Sequence, residues 1–502
     1  MNAMLQWKIR LKDDTELLGA EPFRDGRLKI TAELPEGHID ACVARVHLPT
    51  ADDIRIFMNG YQSWTNCPEY TKADRIRGLG HLPKFLIDKY ALDRYSDYHF
   101  MDYPDRRGYT HGFSYCYFRK DDRYFLVGSL DERPGYTMFM YNANREYLTI
   151  RRDCEGVACG GTFSVLDLFL AEGSEDEVFD AYFKQLGITC RTKEKIAGYS
   201  SWYNRYQDIS ELTILEDLQG AREILSPGDL FQIDDGWEPF VGDWLASDPK
   251  KFPNEMKSAA DAIHDAGFRA GLWLAPFVAE EKSSLFKKHP DWFLFHDGMP
   301  WKAGCNWSGY YALDIDRQEV LDYLKEVFRQ VFDVWGYDLV KLDFLYAAAP
   351  FCTEKESRAA RMIRAMDLLR DLCGDKLLLG CGVPLFPAFG KADYCRVSCD
   401  VTLDYDDNLM MRLIHRERPS TKHAIATDTV RRYLNGRAFG NDPDVFFLRE
   451  ENLSLSDRQK RELAETCALY GNVLFTSDSM SVYNERQKAE YRRIRTIFEK
   501  KG

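Results

Sequence analysis

The chain has 502 residues, a formal charge of −13 and 45% hydrophobic residues, enough for two or three domains around a sizeable core. The acidic balance argues against a nucleic-acid partner, which calls for a basic face, and equally against an anionic membrane surface. Thirteen cysteines, scattered without a CxxC pair, and an opening "MNAMLQWKIRLKDD" without an apolar run point to a reduced, cytoplasmic setting. No stretch has the length and apolarity of a membrane span.

Residues 1–190 read as all-β. "RYFLVGSL", "YTMFMYNA", "EYLTIRRD" and "GTFSVLDLFL" are short, aromatic and β-branched, and Gly, Asn and Asp punctuate them. A β-sandwich is the expected architecture. The pattern changes near "KEKIAGYSSWY". Over residues 191–502 short apolar strands alternate with amphipathic helices: "GYSSW", "LFQIDD", "RAGLWLA", "LVKLDF", "LLLGCG", "YCRVSCD", a weaker one near "RAFGN", and "VLFTSD". Asp316 with Glu319 predicts a helix start, followed by Val320, Leu324, Val327, Phe328, Val331 and Trp335 and a stop at Gly336. Ser456 with Gln459 predicts another helix, ending at Gly471. The fold class is therefore α/β, with a second, catalytic domain expected to be a (β/α)8 barrel.

Catalytic groups in such a barrel stand at the C-terminal ends of the strands. In "DLVKLDFLYA" the alternation places Leu339, Lys341 and Asp343 on one face and Val340, Leu342 and Phe344 on the other. Burying charge is costly unless it is paired or used, so Lys341 and Asp343 ask for a purpose. "YCRVSCD" repeats the layout with Arg396, Ser398 and Asp400. The other strand ends bring Asp234 and Asp235, Trp202, Trp273 and Cys381. Each alone is compatible with packing or a turn. Together they line one pocket with carboxylates, cations and indoles, the equipment for holding adjacent hydroxyl groups and for cleaving a glycosidic bond with two carboxyl groups. Lys341 favours the ionised form of Asp343, which suits a nucleophile, and an enclosed Asp400 suits the proton donor.

"FQIDDGWEPFVGDW", "GLWLAPFVAE", "HPDWFL", "YYALD", "VKLDFLYAA", "GCGVPLFPAFGKADYCRVSCD" and "NDPDVFFLRE" occur in the order found in glycoside hydrolase family 36 of clan D, the melibiase-like α-galactosidases. The chain resembles that family over roughly Gly198 to Ser479, and "NGYQSW" at Asn59–Trp64 resembles its N-terminal β domain. The resemblance implies a retaining, exo-acting α-galactosidase for small α-galactosides of the melibiose or raffinose type. It implies Asp343 as nucleophile, Asp400 as acid/base, and Asp234, Asp235 and Lys341 as holders of the galactose hydroxyls. Arg396, Cys381, Trp202 and Trp273 shape the same subsite, and Trp64 covers it. No metal or other cofactor is implied, and oligomeric state stays open. The chain departs from many relatives at Ser398-Cys399, where they carry Gly-Pro, and in the acidic "VTLDYDDNLMMR" just after Asp400. Rivals with the same machinery are an α-N-acetylgalactosaminidase and a galactosyl transferase. Rivals of another class are a Schiff-base lyase using Lys341 and a galactoside-binding protein without turnover.

Overall fold

Two long strands, Gly26–His47 and Ala158–Gly173, pair antiparallel and form the spine of the N-terminal part in a computed structural model that describes residues 3–406 and 411–500. Beside this spine run Arg123–Ser129, Tyr115–Lys120 and Arg55–Met58 on one side, and Tyr147–Asp153, Tyr136–Asn142 and Tyr109–Phe113 on the other. The two ends of that path meet where the Phe113 N–H donates to the Asn59 carbonyl at 2.7 Å. One face of these strands encloses an apolar core of its own, including Leu5, Ile9, Val46, Phe118, Ile150 and Leu168. The other face carries Phe57, Tyr115, Tyr117 and Leu126 into a second core shared with the rest of the chain. The helix Glu175–Leu186, closed at its start by a Ser174–Glu177 capping box, sits at this seam. There Phe179 stacks on Tyr433 with ring centroids 3.7 Å apart.

From Ile196 onward the main sheet is parallel, and the short strands between Val278 and Ala312 pair antiparallel outside it. Ile196–Ser200 pairs with Leu230–Ile233, and Arg269–Leu274, Leu339–Leu342, Leu377–Gly380, Tyr394–Arg396 and Gly440–Asp442 extend the ladder in turn. Val445–Phe446 pairs with Val473–Thr476, which pairs in turn with Ile196–Ser200. Pro443 stands between Gly440–Asp442 and Val445–Phe446; proline has no N–H for a ladder, which accounts for the break. These strands are buried throughout, as expected for parallel strands covered on both faces, and their apolar runs reflect it.

Two expectations need correction. The strand read as "YCRVSCD" ends at Arg396, so Ser398 and Asp400 belong to the loop beyond it and not to a continued alternation. The helix read from Asp316 starts instead at Gln318 with Arg317 as its cap, and its α-helical part ends at Arg329 before a π-helical turn over Gln330–Val334. Asp316 is occupied elsewhere, in ion pairs with Arg361 and Arg364. The helix Asp457–Tyr470 has its Ser456–Gln459 capping box. Among the described residues no helix is long and apolar enough to cross a membrane.

Candidate active site

The Leu339–Leu342 strand stops one residue short of Asp343, whose N–H still bonds the Leu274 carbonyl at 2.9 Å. Phe344 then takes a left-handed conformation at φ 54°, a costly state for an aromatic residue, of the kind kept where the surroundings enforce it. That turn aims the Phe344 N–H at Asp343 Oδ1, 2.9 Å away, while Trp273 Nε1 donates to Oδ2 at 3.1 Å. Both oxygens thus accept an N–H, a pattern suited to an acceptor-only carboxylate.

Lys341 is buried and donates across the sheet to Asp234 Oδ2 at 2.9 Å. Burial works against its ammonium, but the fields of Asp234 and Asp343 outweigh that and the opposing Arg396, holding Lys341 above its usual range. Asp234 also accepts from Gln232 Nε2 at 2.7 Å, and its Oδ1 takes the Asp235 N–H at 3.0 Å. Asp235 accepts from Gln207 Nε2 and Trp307 Nε1, both at 2.9 Å. Burial pushes its carboxyl up despite those donors, and Glu238 beneath it is pushed up too, by burial and then by Asp235.

Asp400 keeps 37% of its side chain open, facing the cavity, and accepts Arg396 Nη1 at 2.7 Å. Enclosure by the surrounding protein raises its carboxyl above the ordinary range; Arg396 and Lys341 pull down, and Asp343 and Asp234 push up. Arg396 is itself shared, with Nε to Asp442 at 3.1 Å and Nη2 to Asp444 at 2.8 Å. Burial lifts Asp444 to about 6 against the pull of Arg396.

These groups face one cavity of about 960 Å3, near the upper end of the ~300–1,000 Å3 common for small-molecule sites. Trp64, Trp202, Asp234, Asp235, Trp273, Lys341, Asp343 and Asp400 line it. Arg396 and Cys381 do not: Arg396 lies below, holding Asp400, and Cys381 accepts the Trp64 Nε1–H at 3.2 Å. Ser398 and Cys399 are also buried and do not line the cavity. Of the acidic stretch after Asp400, residues 407–410 lie outside the described residues. Gln207, Trp307 and Tyr95 line the cavity without having been singled out from sequence. Trp307 lies in a loop with no periodicity to read. Gln207 stands five residues beyond Trp202, and only its nearness to that strand end could have marked it. Among the described residues no three of His, Cys, Asp and Glu stand close enough to hold a metal ion.

The melibiase family profile matches residues 178–366. The chain is 31% identical over 151 residues to the α-galactosidase Mel36A of Lactobacillus acidophilus, covering 29% of this chain and 20% of that protein. It is 30% identical over 160 residues to the α-galactosidase AgaA of Geobacillus stearothermophilus, covering 30% and 21%. The matched stretches thus span about a fifth of these curated relatives. A solved structure of TtGalA, an α-galactosidase from Thermus thermophilus, in complex with p-nitrophenyl α-D-galactopyranoside, superposes with a TM-score of 0.76 at 30% identity. That match covers 98% of this chain and 94% of the other. The chain belongs to the melibiase-like α-galactosidases of glycoside hydrolase family 36.

Proposed function

We propose that the protein is a retaining, exo-acting α-galactosidase, with small galactosides of the melibiose and raffinose kind as the first substrates to try. Asp343 attacks the anomeric carbon while Asp400 gives its proton to the departing oxygen, leaving galactose esterified to Asp343. Asp400, now a carboxylate, takes a proton from water, which attacks the same carbon from the face the leaving group left. Two inversions give net retention and call for carboxyl groups about 5–5.5 Å apart. Lys341, Asp234 and Asp235 hold the sugar hydroxyls, and the indoles of Trp64, Trp202 and Trp273 form the walls.

The observation that carries this reading is the contrast between the two carboxyl groups. Asp343 has an N–H on each oxygen, and Asp400 is raised within the same cavity. Within the proposal, residues 191–502 form a (β/α)8 barrel, supported by parallel pairings that run from Ile196–Ser200 one way to Gly440–Asp442 and the other way, through Val473–Thr476, to Val445–Phe446, so that the two ends of the sheet are successive segments of the chain. Residues 1–190 form a β-sandwich bearing the Trp64 loop, and a cytoplasmic address is favoured by thirteen unpaired thiols.

Azide tests the roles. On melibiose, Asp400→Ala should lose about 10²–10⁴-fold in kcat/KM, as for a missing proton donor, and Asp343→Ala should lose more. With an activated aryl α-galactoside, azide should rescue Asp343→Ala as β-galactosyl azide and Asp400→Ala as the α-anomer. Full activity in either variant, or the same anomer from both, refutes the assignment.

A further inference from the structure

We propose that the leaving-group side of the cavity takes an apolar aglycone, an alkyl or aryl group, in preference to a second sugar. This rests on the α-galactosidase reading and names the substrate class for it. The short helix Lys84–Tyr90, supplied by the N-terminal part, borders the cavity, and none of its residues is buried. Leu86 and Tyr90, four residues apart on one helix face, line the cavity, and Leu82, just before the helix, lines it beside them. Leu92 extends this apolar patch, and Leu413 and Ile414 add apolar surface from the other part of the chain. Tyr90 and Leu413 are each 44% exposed, so apolar surface is left open beside a site whose charged groups sit at the strand ends.

Several polar side chains on this side are engaged within the protein, and Glu417 Oε1, which has no hydrogen-bond partner among the described residues, is buried. Asn306 Oδ1 accepts Tyr95 Oη–H at 2.9 Å, Glu417 accepts Tyr98 Oη–H at 2.7 Å, and His415 stacks on Tyr95 with planes 8° apart. A second pyranose carries several hydroxyl groups that need partners when water is displaced, and a largely aliphatic wall offers few. An alkyl or aryl group loses nothing there and gains by covering exposed leucine surface.

A series of methyl, butyl and hexyl α-galactosides, run beside melibiose and raffinose, tests this. Full burial of a methylene corresponds to about a fourfold gain. A rim open on one side should give about twofold per methylene, or roughly thirtyfold from methyl to hexyl, carried mainly by KM. In a Leu86→Ser/Tyr90→Ser variant, checked for folding by its melting curve, the loss on the hexyl galactoside should exceed that on the methyl galactoside by about tenfold. A flat series in the parent overturns the proposal. So does a slope that survives the double substitution, or faster turnover of melibiose and raffinose than of the hexyl galactoside. Self-association that the same substitutions disrupt, with no chain-length slope, would assign the patch to a second copy of the chain instead. Affinities of the same series for Asp343→Asn read the slope without turnover, so a failure of the reaction assignment is told apart from a failure of this one.

Discussion

Asp400 is poised by a competition for a single guanidinium. Arg396, 4% exposed, divides its donors among Asp400, Asp442 and Asp444, so what it gives one acid is withheld from the others. An acid/base with a raised carboxyl keeps its proton to higher pH, and kcat/KM should fall as pH rises through that value. This sets the sign of a substitution. Asp444→Asn removes a carboxylate that competes for Arg396 and repels charge on Asp400; the Asp400 carboxylate is then better stabilised, and the alkaline limb should move down by about one pH unit. A pH–rate profile of this variant decides it, and an unmoved limb would mean that Arg396 only packs. Sequence spacing suggested that Lys341 tunes Asp343. Spacing left out the acids that hold these cations, because Asp234 with Lys341, and Asp442 and Asp444 with Arg396, are joined only by the fold.

The element that most depends on its neighbours is the "NGYQSW" loop. Arg431 is fully buried and donates to the carbonyl of Ser63 at 2.8 Å, to Asn59 Oδ1 at 3.2 Å and to the Val397 carbonyl at 2.8 Å, tying the loop to the segment before Asp400. A short antiparallel bridge, Gln62 to Pro384, and the Ser63 N–H to the Val383 carbonyl at 2.9 Å fix it to the turn after Leu377–Gly380. In that turn Gly382 has φ +56°, and an added Cβ would stand 2.9 Å from the Trp64 ring and 3.0 Å from the Phe344 nitrogen. Gly382→Ala should therefore lower kcat/KM by about tenfold or more, through displacement of Trp64 and of the residue that orients Asp343. If part of that effect runs through the indole, it must shrink in a Trp64→Ala background. A double-mutant cycle on KM and kcat measures the coupling, and strictly additive losses would remove Trp64 from the account. The motif was visible as a motif, but its docking was not, since Asn59 and Arg431 are far apart in sequence and no local pattern pairs them.

At the scale of the whole molecule, each stretch read as a parallel strand overlaps one, because a strand buried on both faces leaves a short apolar run between turn residues, while the two-residue Val445–Phe446 is too short to leave such a run. The cost of carrying so many buried acids escaped the sequence. Glu132 is fully buried, accepting the Thr137 N–H at 3.2 Å and Ser114 Oγ–H at 3.1 Å, and burial lifts it from 4.5 to about 8. A carboxyl raised on folding binds its proton more tightly in the native state, so stability is lost as pH rises from the ordinary value through the raised one. Glu238 and Asp428, also raised by burial, act in the same direction. Histidines oppose them: desolvation lowers the half-buried His99 and His423 to about 4 and also lowers the buried His111, which makes folding more favourable as pH climbs towards about 6.5. Above that pH the histidines add nothing further, and the acids alone set the slope. From pH 6.5 to 8 Glu132 should cost about 2 kcal/mol, and the melting temperature should fall. Glutamine can keep both bonds of Glu132, accepting from Thr137 with its oxygen and donating to the Ser114 hydroxyl with its amide. Glu132→Gln should accordingly melt higher than the parent at pH 8 and within about a degree of it at pH 5. Melting curves at pH 5, 6.5 and 8 test both parts. A difference between the two proteins that does not change with pH would show that the substitution acts through packing, and that Glu132 is ionised throughout.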